Sequence, residues 1–427
     1  MWHFLKITLV LVFILNFSET KADTLLESLN SAYLNNFKLN AERASLRAAK
    51  EESREAIGAL LPSVTLSGYV GEIENTNPGE DTNFRPSEQS ITVEQNIFQG
   101  FEGVANLKKK KYGYILAEFK LKKVEQETLL DAVKAHADLI LSQKKLDINL
   151  MNVDLLERQV ETDQNRLEKG QINLTDLAQS ESSLAGARAR FITAQNNLVT
   201  SKANFEKIIG KKASENIKEI ENINLNLPES LSAAYSISNS ENPDLQIAIL
   251  EHKQSKLDVT IARSELSPTA KLSYKVAEQD NISSTVKDRT QQTITATATW
   301  PLFAGGSNLF NLKKNQELRN KKELLLQDSK ISNKTNVVNV WSSYQSSKSV
   351  LESIRSQVNA AEIANEGITL EYESGNNRTT LEVIQSRTIL LESRINLASS
   401  ERNFFVSQFN LLAAAGRLTA NQLNLKE

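Results

Sequence analysis

The chain has 427 residues, a formal net charge of −2, 40% apolar residues and no cysteine. The missing thiols exclude a disulfide scaffold, a cysteine-based zinc or iron–sulfur site and an N-terminal lipid-anchored cysteine, and the near-neutral charge argues against a dedicated nucleic-acid binder. Length alone suggests two or three globular domains, yet 15 glycines and 7 prolines are few for that, and no proline falls between 87 and 227 or after 301, which permits long helices.

Residues 1–22 read as an export signal. Lys6 gives a positive start, Ile7 to Phe17 is an 11-residue, almost wholly apolar run, and Thr20 and Ala22 suit cleavage after Ala22. A run this short does not cross a hydrocarbon core of about 30 Å as a helix, so a cleaved signal peptide is expected, with an uncleaved N-terminal anchor as the alternative.

The remainder reads as one plan used twice, over 23–222 and 223–427. Leu61-Pro62-Ser63 and Leu66-Ser67 return as Ser267-Pro268-Thr269 and Leu272-Ser273, 206 residues on. Phe98-Gln99-Gly100 returns as Phe303-Ala304-Gly305, and Asn106-Leu107-Lys108-Lys109 as Asn311-Leu312-Lys313-Lys314, each 205 residues on. Gly170 matches Gly375, Asp176 matches Glu382 and Gly210 matches Gly416. A repeat of this kind fixes the fold plan before any single element does.

In chain order, each copy starts with one helical stretch ending before Pro62 or Pro268. Two strands follow, predicted at 63–72 and 88–98 in the first copy and 269–277 and 290–300 in the second. Thr293, Thr295, Thr297 and Thr299 alternate with Ile294, Ala296, Ala298 and Trp300, a period of two with one polar and one apolar face. The connections 73–86 and 278–288 are polar and read as loops. Strands of about 10 residues have the length of a tilted membrane-spanning strand. Phe98, Phe101, Trp300 and Phe303 cluster where strands give way to helices and suit a membrane-interface girdle. A soluble hairpin between helices, with these aromatics as core, is the alternative. Four strands do not close a lipid-facing barrel, so a membrane reading requires several chains to share one.

A very long helix comes next in each copy. Leu139, Leu146, Val153, Val160 and Leu167 are spaced by seven, as are Val337, Tyr344, Leu351 and Val358. Such a repeat indicates coiled-coil packing. The 60 residues from 107 to 166 and the 63 from 309 to 371 correspond to about 90 and 95 Å of helix. A glycine-marked turn and a shorter helix, ending at Gly210 or Gly416, complete each copy.

At this point the chain resembles the TolC family of outer-membrane efflux proteins over essentially all of 23–427. The resemblance rests on Leu60-Leu61-Pro62, Gln95-Asn96-Ile97-Phe98, Trp300-Pro301-Leu302-Phe303-Ala304-Gly305-Gly306, Gly170 with Leu174-Thr175-Asp176, Gly375 with Leu381-Glu382-Val383, and Gln408-Phe409-Asn410-Leu411 through Gly416. It implies a mainly α fold with β, in which four strands per chain enter a trimeric twelve-stranded barrel and long antiparallel coiled coils form an α-barrel. It also implies a homotrimer in outer-membrane lipid with a periplasmic extension. That trimer would be the passive exit duct of a tripartite efflux pump or type I secretion system, working with a periplasmic adaptor and an inner-membrane transporter. A soluble periplasmic coiled-coil adaptor or structural protein is the competing reading.

Nothing in the sequence suggests an enzyme, a cofactor or a metal. His136 and His252 lie singly in helical segments, and Gly210-Lys211-Lys212 lacks the first glycine of a phosphate loop because Phe205 stands there. Lys108 to Lys111 reads as a solvated helix face, with contact to lipid phosphates as the alternative. At the turns, Gly170 and Gly375 suit left-handed turn residues, and Thr175 and Asp176 suit a helix cap. The resemblance implies further that these turns form the periplasmic tip, where an adaptor docks, and that Thr175, Asp176, Tyr372 and Arg378 hold it shut. Glu382 matches the first of two acidic positions lining the constriction, and Gln385 stands at the second. The extra residue in the second turn, Asn376-Asn377 before Arg378, leaves the placement of Arg378 open.

Overall fold

The computed structural model describes residues 24–77, 80–214, 225–283, 286–374 and 378–425. The expected export signal and Gly375 lie outside the described residues.

The two copies match helix for helix. The first holds α1 (Leu25–Asn35), α2 (Phe37–Gly58), β1 (Ser63–Val70), β2 (Ile73–Asn77), β3 (Glu80–Phe84), β4 (Ser87–Gln99), α3 (Glu102–Glu168) and α4 (Leu174–Ile209). The second holds α5 (Leu231–Glu241), α6 (Pro243–Ser264), β5 (Thr269–Asp280), β6 (Asp288–Thr299), α7 (Ser307–Glu373) and α8 (Thr380–Ala415). Corresponding helices are equally long, at 11, 22, 67 and 36 residues.

Two expectations need correction. The single helical stretch before each strand pair is two helices. Asn36 and Asn242 leave the helical conformation at φ −67°, ψ 121° and φ −66°, ψ 122°, and each side chain accepts from the backbone N–H three residues on. An asparagine side chain satisfies one of the orphan donors of a helix start, which makes the break stable. The predicted loop 73–86 contains a hairpin instead. β2 and β3 pair from Ile73↔Phe84 to Asn77↔Glu80. Their side chains are mostly polar and lack the apolar alternation that marks a strand, so the only sequence signal was the Pro78-Gly79 dipeptide between them.

The main sheet is antiparallel, in the order β1-β4-β5-β6. Its register puts Val64, Leu66, Ile91, Val93, Tyr274 and Ile294 on one face. Thr65, Thr92, Lys275 and Thr293 share the other, where Lys275–Glu88 and Lys271–Glu94 ion pairs, at 2.5 and 3.1 Å, tie β5 to β4. Cross-strand pairs of this kind hold a register. A bulge between Asn96 and Phe98 shifts the pairing so that Phe98 stands opposite Ala270 and joins the apolar face. Without it, the aromatic side chain would turn to the polar side.

At the β4–α3 joint Gly100 has φ +58°, and a Cβ there would stand 2.6 Å from Ser267 Cβ and 2.8 Å from the Ser264 carbonyl oxygen. Its counterpart Gly305 has φ +62° and open space around it. Gly100→Ala is therefore expected to cost about 2–3 kcal/mol and Gly305→Ala about 1 kcal/mol. Thermal unfolding of the two purified variants checks the difference.

Contacts divide the chain into two compact units that cut across the copies. One comprises Met1–Ala32, Ala132–Asn224 and Val358–Ala398, and the other Tyr33–Asp131, Leu225–Gln357 and Ser399–Glu427. The first has a core of Val153, Leu156 and Ala187 with Leu184 and Phe191 against it. The second packs Ala234, Val337 and Leu411 with Leu227, Trp341 and Tyr344. Of the residues spaced by seven, Leu139, Val153, Val337, Leu351 and Val358 are buried. Among the described residues no helix is long and apolar enough to cross a membrane.

Candidate functional site

The turn after α3 closes by backbone geometry. Gly170 has φ +69°, its N–H donates to Leu167 O at 2.8 Å, and Gln171 N–H donates to Arg166 O at 2.9 Å. This pair of bonds terminates a helix on a left-handed residue. The next helix starts at Asn173, not at Thr175 or Asp176 as expected. Asn173 Oδ1 accepts from Asp176 N–H at 3.0 Å, and Asp176 Oδ2 accepts from Asn173 N–H at 3.3 Å. Asp176 is thus the third residue of a reciprocal cap, and Thr175 is exposed.

The second turn repeats the device. Thr379 N–H donates to Glu382 Oε2 at 2.8 Å, and Glu382 N–H to Thr379 Oγ1 at 3.3 Å. Arg378 bridges Glu371 at 2.6 Å and Glu382 at 3.1 Å. The Thr379 N–H, and then the Arg378 guanidinium, hold the Glu382 carboxyl below its ordinary range. Gln385 is exposed one turn further along α8.

Tyr372 is placed differently. It is 6% exposed, and its hydroxyl donates to Asp163 Oδ1 at 3.0 Å and meets Thr380 Oγ1 at 3.1 Å. The Arg166 guanidinium lies 4.4 Å from its ring centroid, and Arg166 Nη2 donates to the Tyr372 carbonyl oxygen at 3.4 Å. Burial, with the nearby Asp163 carboxylate, raises the phenol pKa. Asp163 is fully buried and also accepts from Gln159 Nε2 at 2.9 Å and Ser180 Oγ at 2.5 Å. The node therefore ties α3, α4, α7 and α8 together within one compact unit. Arg387 lies close enough to feel Glu373, Asp163 and Tyr372, but burial lowers its pKa.

The chain brings Tyr372 to Asp163, and no hydrogen bond or ion pair joins Asp176 to Tyr372 or Arg378 among the described residues. Sequence reasoning missed Asp163. It stands seven residues after Leu156, on a row with Asn149 that the coiled-coil repeat expects to be apolar, and all three are buried. A charged residue at a seam position was the available signal.

Phe101, Trp300 and Phe303 are exposed, and Phe98 is only partly covered. Phe98 and Phe101 meet edge to face at 5.5 Å, and Trp300 Nε1 donates to Leu266 O at 3.1 Å. The Lys108–Lys111 run is not uniformly solvated. Lys109 pairs with Asp258 at 2.6 Å and Lys110 with Glu52 at 2.8 Å. His136 is buried and meets Ser28 Oγ at 3.1 Å, and His252 is also buried, which lowers its pKa. No cluster of metal-ligating side chains occurs among the described residues.

The chain is 26% identical over 407 residues to the outer membrane efflux protein BepC of Brucella suis, covering 95% of this chain and 88% of that protein. It is 21% identical over 420 residues to the outer membrane protein TolC of Escherichia coli, covering 95% and 85%. The fold matches the Campylobacter jejuni CmeC outer membrane channel with a TM-score of 0.85 at 13% identity, covering 94% of this chain and 87% of that one. The outer membrane efflux protein model matches it twice, over residues 28–211 and 234–417. With each copy of the duplicated fold matched in turn, the chain belongs to the outer membrane efflux protein family.

Proposed function

We propose that three copies of this chain form an outer-membrane exit duct, a channel rather than an enzyme, for a tripartite efflux pump or a type I secretion system. The observation that carries the reading is the sheet. It has one apolar and one polar face, and among the described residues its outer strands β1 and β6 each lack a partner on one side. Unpaired backbone groups do not persist in lipid, so closure must come from other copies. Three such sheets give twelve strands. Phe98, Phe101, Trp300 and Phe303 then sit at the membrane interface. The signal is removed after Ala22, and 23–222 and 223–427 act as the two structural repeats.

In this reading the helix turns form the periplasmic tip. Gly170 and Gly375 mark where an adaptor protein docks, and an inner-membrane transporter supplies the energy. Thr175, Asp176, Tyr372, Arg378, Glu382 and Gln385 form the gate region, with Asp163 as the buried partner of Tyr372. The soluble adaptor reading leaves the exposed aromatics and apolar sheet face without a partner.

The native chain has no cysteine, so cysteine pairing gives a clean test. Thr65→Cys on β1 is combined in turn with Thr293→Cys, Thr295→Cys or Thr297→Cys on β6. Two strands separate these positions within one sheet, about 14 Å, beyond disulfide reach. Oxidation in outer-membrane fractions should yield covalent dimers and trimers and stop at three. A chain that stays monomeric with every pair, or stays out of that fraction, overturns the duct.

The tip charge adds a second expectation. Glu382 is paired with Arg378 and Gln385 is neutral, so divalent cations should block the duct weakly. Gln385→Asp is expected to strengthen block several-fold by restoring an acid one turn away. Single-channel recordings with a divalent cation check this, and unchanged block removes Gln385 from the constriction.

A further inference from the structure

The four consecutive lysines at the start of α3 are split by helix geometry. Successive residues point 100° apart, so they do not share a face. Lys109 turns to Asp258 on α6, and Lys110 to Glu52 on α2. Lys108 and Lys111 are exposed and share one side of α3 with exposed Val104, at spacings of four and three; Phe101 stands immediately before the helix at φ +72°. The direction of this stripe is set from the sheet. The β4 bulge puts Phe98 on the apolar face, and Phe98 packs against Phe101. The lysines therefore follow an exposed apolar band on the side of the sheet that suits lipid. In the second copy Phe310 is exposed on α7, followed on the same side by exposed Lys313, the counterpart of Lys108, and exposed Lys314. Glu317, the next carboxylate on that side, bonds to Asn320.

We propose that Lys108, Lys111, Lys313 and Lys314 form a basic collar that binds the phosphodiester headgroups of anionic glycerophospholipid in the leaflet facing the periplasm. This rests on the membrane reading above. The depth fits. With Val104 at the hydrocarbon edge, Lys108 lies about 6 Å further along the helix, inside a headgroup layer about 5–8 Å thick, and Lys111, about 10 Å along, reaches back into it through its stem. Lysine stems also run along apolar surface while the ammonium stays in the polar layer. Each chain then has one such pair near the start of each 67-residue helix, so a trimer has six.

The test reconstitutes the full-length protein in vesicles of phosphatidylethanolamine alone or with one quarter phosphatidylglycerol, followed by mass spectrometry of the lipid retained on the extracted protein. Wild type should retain phosphatidylglycerol over phosphatidylethanolamine at about tenfold their ratio in the vesicle, with the preference falling about twofold for each lysine removed. The variant Lys108→Gln, Lys111→Gln, Lys313→Gln, Lys314→Gln should lose the preference, whereas the corresponding four arginine substitutions should keep it. Lys110→Gln, which breaks only the Glu52 pair, should also keep it. Retention of phosphatidylglycerol by the four-glutamine variant overturns the collar. Displacement of the lipid by millimolar inorganic phosphate overturns it in favour of a free-anion site. Failure of the wild type to insert into either vesicle overturns the membrane reading itself.

Discussion

Gly416→Ala is expected to destabilise the protein by about 3–5 kcal/mol. Gly416 ends α8 with φ +81°. Its N–H donates to Ala413 O at 2.9 Å, and Arg417 N–H donates to Leu412 O at 2.8 Å, the same closure seen at Gly170. The two sites differ in what surrounds them. A Cβ on Gly416 would collide with Glu241 O and stand 2.5 Å from Glu241 C and 2.7 Å from Asn242 N, whereas nothing lies within 4 Å of one on Gly170. The obstacle is backbone at the α5–α6 break, which does not yield as a flexible side chain does. It is held there by the Arg417–Glu241 ion pair at 2.9 Å and by Ser238 Oγ and Asn242 Nδ2 donating to Ala414 O at 2.8 and 3.2 Å. The substitution would push the terminal segment off this corner and expose buried Leu418 and Leu423. Gly170→Ala should cost only the left-handed penalty, about 1 kcal/mol. Denaturant unfolding of the two variants reads the difference. Equal shifts would show that the corner relaxes and that the close approach carries no energy.

Asp163→Ala is expected to release the Tyr372 node. It leaves Tyr372 Oη, Gln159 Nε2 and Ser180 Oγ without their shared acceptor in a dry site. Removing a buried carboxylate from such a network costs about 3–5 kcal/mol of local stability. If the node holds the tip closed, resting single-channel conductance should rise several-fold. Tyr372→Phe removes one of the three bonds and should give a smaller rise. The double variant should conduct like Asp163→Ala alone, because residues acting through one bond do not add. Additive increases would assign the two residues to separate roles, and an unchanged resting conductance in both would take the node out of gating. Asp176→Ala should behave differently, with a loss of about 1 kcal/mol from its cap, unless a neighbouring chain engages it. A rise in resting conductance for Asp176→Ala with Arg378→Ala would mark that engagement.

The turn residues illustrate how far local sequence carries. Gly170 and Gly416 were legible because a left-handed helix end requires glycine, and Asp176 was legible as a capping residue, although it serves as the third residue of the cap and not as the cap itself. Which residue fills the cap, Asn173, was less legible, since Asn, Thr and Asp all lie within three positions and all serve. The hairpin of β2 and β3 escaped because pairing continued from β1 and β4 stabilises strands whose own side chains show no alternation. Tyr372 was singled out through resemblance, but its partner Asp163 is 209 residues away, and no local rule joins them.

By itself, then, the sequence determined the duplication, the long helices, the two-faced strands and the glycine-bounded turns. Each follows from a repeat or from a constraint acting within a few residues of chain. Tertiary structure alone decided that the compact units cut across the copies, and that Phe98 turns to the apolar face through a bulge. It also decided that Lys109 and Lys110 are paired while Lys108 and Lys111 are not, and that a buried aspartate holds Tyr372. These outcomes depend on which distant side chains reach one another, and the energy of a buried charge or an ion pair is set by that encounter and the water it excludes.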